Sequence, residues 1–179
     1  RFAYDNLKQW GFSDPAGIEL PGEEAGLVST PEQWRGVVPA NIAIGQGIGV
    51  TPLQLVAALS AVINGGRCVR PFIVKEARDG QGNVVYRGEE CVRNVVISKK
   101  TSDWVRSAMR RVVTNGTGKA ANSPHVAVGG KTGTAQVAER GKYVKGRFVG
   151  SFVGFWPAED PDHILLVVLG EPSQKGHLG

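Results

Sequence analysis

The stretch "VAVGGKTGTAQV", residues 126 to 137, gathers an ammonium, two hydroxyls and three glycines between Gly129 and Thr134. Such a run suits three chemistries: a phosphate cradle, a flexible surface turn, or a strand whose lysine and threonines face a ligand. A phosphate cradle needs Gly-x4-Gly-Lys-[Ser/Thr], because backbone N–H groups must wrap the phosphates. Gly130, Lys131 and Thr132 supply only the end of that string. Position 125 is His125, and Gln136 and Val137 continue an extended pattern rather than opening a helix. "GQGIGV" (45 to 50) also fails the dinucleotide fingerprint, with Val50 in the third glycine position. No nucleotide or other cofactor is expected.

Read as a strand, the run puts Lys131 and Gly133 on one face and Thr132 and Thr134 on the other. Gly133 has no side chain, so another backbone can approach it. Lys131 offers a point charge with three donors, and Thr134 a hydroxyl and a backbone N–H. Together they suit an extended peptide laid along the strand edge, with an anionic terminus gripped at its end. A donor at that edge also suits an oxyanion. The bland alternative is a surface turn with an incidental lysine, and the residues alone leave both open.

The elements that would position this strand are legible around it. "AYDNLKQWG" reads as a short first helix, followed by the Gly/Pro-punctuated loop "PAGIELPGEEAG". A firm helix starts after Thr51, with Pro52 at its first position and Gln54 completing a capping box. Leu55, Val56, Leu59, Val62 and Ile63 share one face at helical spacing, and Asn64-Gly65-Gly66 ends the run. "PFIVKEA" and "NVVYRG" around "RDGQG" read as a hairpin. A second helix follows Ser98, with Val105, Ala108, Met109, Val112 and Val113 inward and Asn115-Gly116 as its stop. Then "HVAVGGKTGTAQVA", "RFVGSFVGFWP" and "HILLVVLGEP" alternate with the short links "ERGKYVKG" and "AEDPD", as in an antiparallel meander. "ILLVVL" (164 to 169) is apolar on both faces and is expected as the inner strand. The pattern predicts an α+β fold, an antiparallel sheet flanked by helices. One domain over 1–179 is expected, helical over about 1–120 and sheet over about 124–170.

Composition narrows the class. The chain has 179 residues, 41% of them hydrophobic and 21% charged, which fits one globular domain. Its longest apolar run falls far short of the roughly 20 residues of a spanning helix. The net charge of +5 is scattered, and no zinc spacing or aromatic-plus-basic signature points to nucleic acid. His125, His163 and His177 are too dispersed to propose as metal ligands. Cys68 and Cys91 match no metal motif; flanking a hairpin, they could be bridged, for about 3 kcal/mol on the chain-entropy account. Trp10, Trp34, Trp104 and Trp156 are read as packing residues.

More specific company surrounds the Lys-Thr-Gly run. "GIELPGEEAG", "NIAIGQGIGVTPLQLVAALSAVINGG", "VVTNGTGKAA", "GGKTGTAQ" and "SFVGFWPAEDP" occur in order. In this the chain resembles the transpeptidase domain of class B penicillin-binding proteins over essentially its whole length. The resemblance implies the α/β/α sandwich of the penicillin-binding/β-lactamase-like fold, incomplete here. It also implies a D,D-transpeptidase that cross-links peptidoglycan stem peptides through an acyl-serine, with β-lactams as covalent inhibitors. The family signature is Ser-x-x-Lys, Ser-x-Asn and Lys-Thr-Gly. Lys131, Thr132 and Gly133 match the third motif. By the resemblance, Lys131 keeps the site positive beside the serine of the second motif. Thr134 then supplies an oxyanion N–H and a hydroxyl for the substrate carboxylate. The segment around Gln46 is expected behind the cleft, outside the site.

The first two motifs are absent from these 179 residues. No serine has a lysine three positions on or an asparagine two on; Ser98 is followed by Thr101, Ser107 by Arg110 and Ser173 by Gly176. "YDN" (Tyr4 to Asn6) imitates a variant of the second motif, but the family pattern places this segment after it. We therefore read the chain as the C-terminal portion of such a domain, inactive alone, with its N-terminal counterpart as a partner. A pseudoenzyme or a non-catalytic module binding muropeptides or β-lactams is the alternative. The parent is expected at the extracytoplasmic face of the bacterial membrane, anchored elsewhere. With two of the family's five strands upstream, "HILLVVL" is expected to leave an open sheet edge prone to self-association.

Overall fold

The computed structural model describes residues 1–139 and 142–172. Arg140 and Gly141 of the "ERGKYVKG" link, and the tail bearing Ser173 and His177, lie outside the described residues. The first helix, α1, spans Phe2–Gln9. Two short elements that the sequence reading did not anticipate follow: a 3₁₀ turn at Pro31–Gln33 and α2 at Val38–Ala43.

Helix α3 (Pro52–Ile63) begins on the expected capping box: Thr51 Oγ1 accepts from Gln54 N at 3.1 Å, and Gln54 Oε1 accepts from Thr51 N at 2.9 Å. Its tightest face differs from the periodicity reading. Gln54, Ala58, Ala61 and Ile63 are buried, whereas Leu55, Val56, Leu59 and Val62 are only half-buried. Small side chains at 58 and 61 let neighbouring backbone close in, and Gln54 is buried because all its polar atoms are used. Its Nε2 donates to Asp14 O (2.8 Å) and Ala25 O (2.9 Å), stitching the loop before α3 onto the helix. The stop at Asn64 depends on Gly66, whose φ is +92° and where a Cβ would sit 1.9 Å from Ile97 O.

Four short strands follow: β1 (Arg67–Arg70), β2 (Glu76–Arg78), β3 (Val84–Arg87) and β4 (Cys91–Val95). β2 and β3 form the expected hairpin, shorter than read, and β1 pairs antiparallel with β4 around it. Cys68 faces Asn94 across this pair and Cys91 faces Arg70. Both thiols are free, so the bridge is not made. Cys68 is buried, and desolvation pushes its thiol pKa up.

Helix α4 (Lys99–Asn115) starts where Ser98 Oγ accepts from Thr101 N at 3.1 Å. Met109 and Val113 are buried and Val105 and Val112 half-buried, but Ala108 is exposed. Trp104 is 72% exposed, which overturns its reading as a packing residue. Both errors share one cause: the helix faces inward around Ser102, which is fully buried. Ser102 Oγ donates to Val62 O (2.7 Å) and accepts from Gly65 N (3.0 Å), turning positions 104 and 108 outward.

The main sheet is an antiparallel meander, β5 (Gly129–Glu139), β6 (Lys142–Trp156) and β7 (His163–Gly170), in that order. β6 is therefore the inner strand, not "ILLVVL". β7 pairs with β6 alone among the described strands, and Leu165, Val167, Val168 and Leu169 are exposed. The apolar run misled because strands destined for burial on both faces look the same whichever neighbour supplies the cover. The core lies where α3 and α4 meet this sheet: Ile63, Met109, Val153, Phe155 and Ala158, with Leu59, Val62, Val105, Ile164 and Leu166 packed against them.

Candidate active site

Lys131 to Thr134 lie within β5, in extended backbone and in register with the middle strand. Lys131 faces Val153, Thr132 faces Phe152, Gly133 faces Ser151 and Thr134 faces Gly150. β5 is an edge: β6 is its one neighbour among the described strands. Lys131 is exposed and its Nζ donates to Thr132 O at 2.8 Å. Thr134 is exposed as well, while Thr132 and Gly133 are half-buried. The run is thus neither coiled nor entombed.

Two glycines let neighbouring side chains come close to the strand. A Cβ at Gly129 would lie 2.3 Å from the ring of Phe155, which is fully buried, so the strand enters over the core only without a side chain there. At Gly133 a Cβ would be 2.6 Å from Ser151 Oγ. The strand is also tied to what precedes it. Arg110 of α4 donates to Val128 O at 2.8 Å and to Asn122 Oδ1 at 3.2 Å. Beyond the helix end, Thr117 Oγ1 and Thr132 Oγ1 share a hydrogen bond of 2.9 Å.

Beside the exposed residues runs a groove of about 580 Å³, walled by Phe12, Ile44, Ile48 and Leu55 and floored by Gly133, Thr134 and Ser151. The segment around Gln46, expected behind the cleft, thus contributes Ile44, Gly45, Ile48, Gly49 and Val50 to the wall. Its placement follows from a two-bond bridge: Leu27 N donates to Gly49 O (2.7 Å) and Gly49 N to Leu27 O (2.8 Å). The sequence signal was present in "NIAIGQGIGV", apolar residues separated by glycines just before a capped helix. Phe12 and Thr117 carried no signal of their own.

The two described histidines, His125 and His163, do not converge. His163 stacks on Trp156 (ring centroids 5.2 Å apart, planes 5° apart) and hydrogen-bonds Asp162, and His125 is exposed on a loop. Among the described residues no group of three or more His, Cys, Asp or Glu side chains could hold a metal ion. Nor is any helix there long and apolar enough to cross a membrane. What the arrangement can do is bind. An edge strand can accept extended peptide backbone, and a cation with hydroxyls along it can hold a carboxylate.

The profile of the penicillin-binding protein transpeptidase domain matches residues 3–178. The chain belongs to this transpeptidase family. It is 41% identical to the stage V sporulation protein D of Bacillus subtilis over 168 residues, covering 93% of this chain and 26% of that protein. It is 33% identical to the peptidoglycan D,D-transpeptidase MrdA of Acinetobacter baumannii, covering 95% of this chain and 28% of that protein. The chain thus spans about a quarter of the length of these relatives. The apo crystal structure of penicillin-binding protein 3 from Mycobacterium tuberculosis superimposes with a TM-score of 0.86 at 35% identity, over 96% of this chain and 40% of that one. The same protein complexed with ampicillin matches at 0.85. The fold is therefore the α+β fold of transpeptidase domains, and Lys131, Thr132 and Gly133 lie on its strand β5.

Proposed function

We propose that this chain forms one wall of the cleft of a peptidoglycan D,D-transpeptidase that works through an acyl-serine. In this reading Lys131 keeps the cleft positive, and Thr132 and Gly133 carry the motif on the strand. Thr134 offers its N–H to the developing oxyanion and its hydroxyl to the carboxylate of a D-alanyl donor. The donor peptide lies antiparallel along the β5 edge, and β-lactams enter the same place. The serine nucleophile and its lysine come from residues outside these 179, so the chain alone is not acylated. Peptidoglycan requires the work to be done at the outer face of the cell membrane. The observation that carries the reading is the exposed Lys-Thr-Gly strand at a sheet edge, bordering a groove, in a chain of this family.

A fluorescent penicillin tests it. Full-length protein containing this chain should be labelled on a serine outside residues 1–179, and the isolated chain should not. Lys131→Ala should slow labelling of the full-length protein about a hundredfold, the scale of removing one preorganised electrostatic group from such a site. Absence of labelling of the full-length protein at any concentration overturns the reading. Reversible, saturable binding of the drug without acylation would instead assign a non-catalytic binding module.

A further inference from the structure

The loop after α4 does more than connect. Gly116 N and Gly118 N both donate to Val112 O (3.0 and 3.1 Å), folding the chain back on the helix end. Gly118 is buried, and a Cβ there would come within 3.3 Å of both Val112 and the Phe152 ring. A 3₁₀ turn at Lys119–Ala121 follows, and Asn122 is held by Arg110. Thr117 stands between the two anchored glycines, and its hydroxyl meets Thr132, which faces that same Phe152 across the β5–β6 ladder. Loop and strand therefore touch where each is hydrogen-bonded to its own element.

We infer that Thr117 is a positioning residue for the Lys-Thr-Gly strand: its hydroxyl bond to Thr132 fixes the rotation of β5 there and thereby the direction in which Lys131 leaves the opposite face. Adjacent strand residues point to opposite faces, so the orientation of Thr132 dictates that of Lys131. Among the described strands β5 has a backbone ladder to β6 alone, so a side-chain bond to a loop adds a restraint that an inner strand would draw from a second neighbour. Lys131 itself is exposed, with Thr132 O as the acceptor of its ammonium, and Gly133 has no side chain to lock. Thr132 is the motif residue with a side-chain tie to an anchored loop. Thr117 touches no reacting atom in this scheme and acts through its neighbour. The inference rests on the transpeptidase reading for its functional consequence.

The test is a double-mutant cycle in the full-length protein, with two readouts. Thr117→Val, nearly isosteric, should lower the second-order rate of penicillin acylation about threefold, the scale of one ordinary hydrogen bond. Thr117→Ser should restore it. In a Thr132→Val background, Thr117→Val should cost nothing further, because the tie is already broken. Amide exchange at 131–134 should quicken in Thr117→Val, with the melting temperature unchanged within error in Thr117→Ser. Multiplicative effects of the two valine substitutions, an unchanged rate in Thr117→Val, or failure of serine to rescue would each overturn the proposal. If the wild type is not acylated at all, the transpeptidase reading fails. Exchange then decides on its own whether Thr117 orders the strand, and unchanged exchange overturns that too.

Discussion

At the scale of single residues, the motif strand is defined as much by what its glycines leave out as by what Lys131 and the threonines supply. A Cβ at Gly133 would sit 2.6 Å from Ser151 Oγ, but the next nearest atom, Ser151 Cβ, is 3.9 Å away. The obstacle is therefore one hydroxyl. Gly133→Ala should lower penicillin labelling of the full-length protein, since relieving that clash displaces either Ser151 or the strand. Gly133→Ala with Ser151→Ala should recover most of it. Equal labelling in the single and the double variant would show that Ser151 is not what excludes a side chain there. Gly129 differs: the obstacle there is the fully buried Phe155 ring, and trimming that ring to admit a side chain would open a cavity in the core.

At the scale of elements, the sequence was readable where local chemistry decides and misleading where neighbours decide. The α3 capping box, the start of α4 after Ser98 and the β2–β3 hairpin follow from two to four adjacent residues, and the structure has each of them. The inner strand, the inward face of α4 and the wall formed by Ile44 to Val50 depend on what packs against them. Hydrophobic spacing could not distinguish an inward Ala108 from an inward Ser102, because hydrogen bonds to Val62 and Gly65 made the serine the buried one. Lys131 to Thr134 were legible as a strand, but their tie to Thr117 was not, since a lone threonine in a glycine loop is unmarked. Gln54 shows the same blindness and yields a forecast. It is 2% exposed and bonds Thr51, Asp14 and Ala25 together, so α3 holds the loop that helps to build the groove. Gln54→Leu should destabilise the folded protein by about 2 to 4 kcal/mol, through lost bonds and two carbonyls left without donors. Chemical denaturation measures it. A cost below that of the cap alone, about 1 kcal/mol as Thr51→Ala would report, would show that the stitch is not structural.

At the scale of the whole molecule, the sheet is closed on neither side by described residues. One open edge carries the motif and the other is β7. The two edges differ in character. Around the motif the β5 edge carries Lys131 and small polar residues, and Arg147 on β6 pairs with Glu139 at the end of β5 and with Glu171 just beyond β7. Glu171 is held below its ordinary pKa by its hydrogen bonds to Arg147, and the arginine is pushed further up. β7, by contrast, has eight residues without a lysine, a proline or a carboxylate, and Leu165, Val167 and Leu169 are 54%, 45% and 58% exposed on one face. A long apolar edge lacking such gatekeepers is a template for another strand. The isolated 179-residue chain should therefore self-associate through β7, antiparallel about a two-fold axis, extending three strands to six. Sedimentation at micromolar concentration should show dimers or larger species. Val167→Lys should return the chain to monomers, with little change in its melting temperature, because the side chain is already open to solvent. A wild-type chain that stays monomeric as its concentration rises would mean that β7 is covered in a way its exposure does not suggest. A Val167→Lys chain that still associates would move the contact away from this edge.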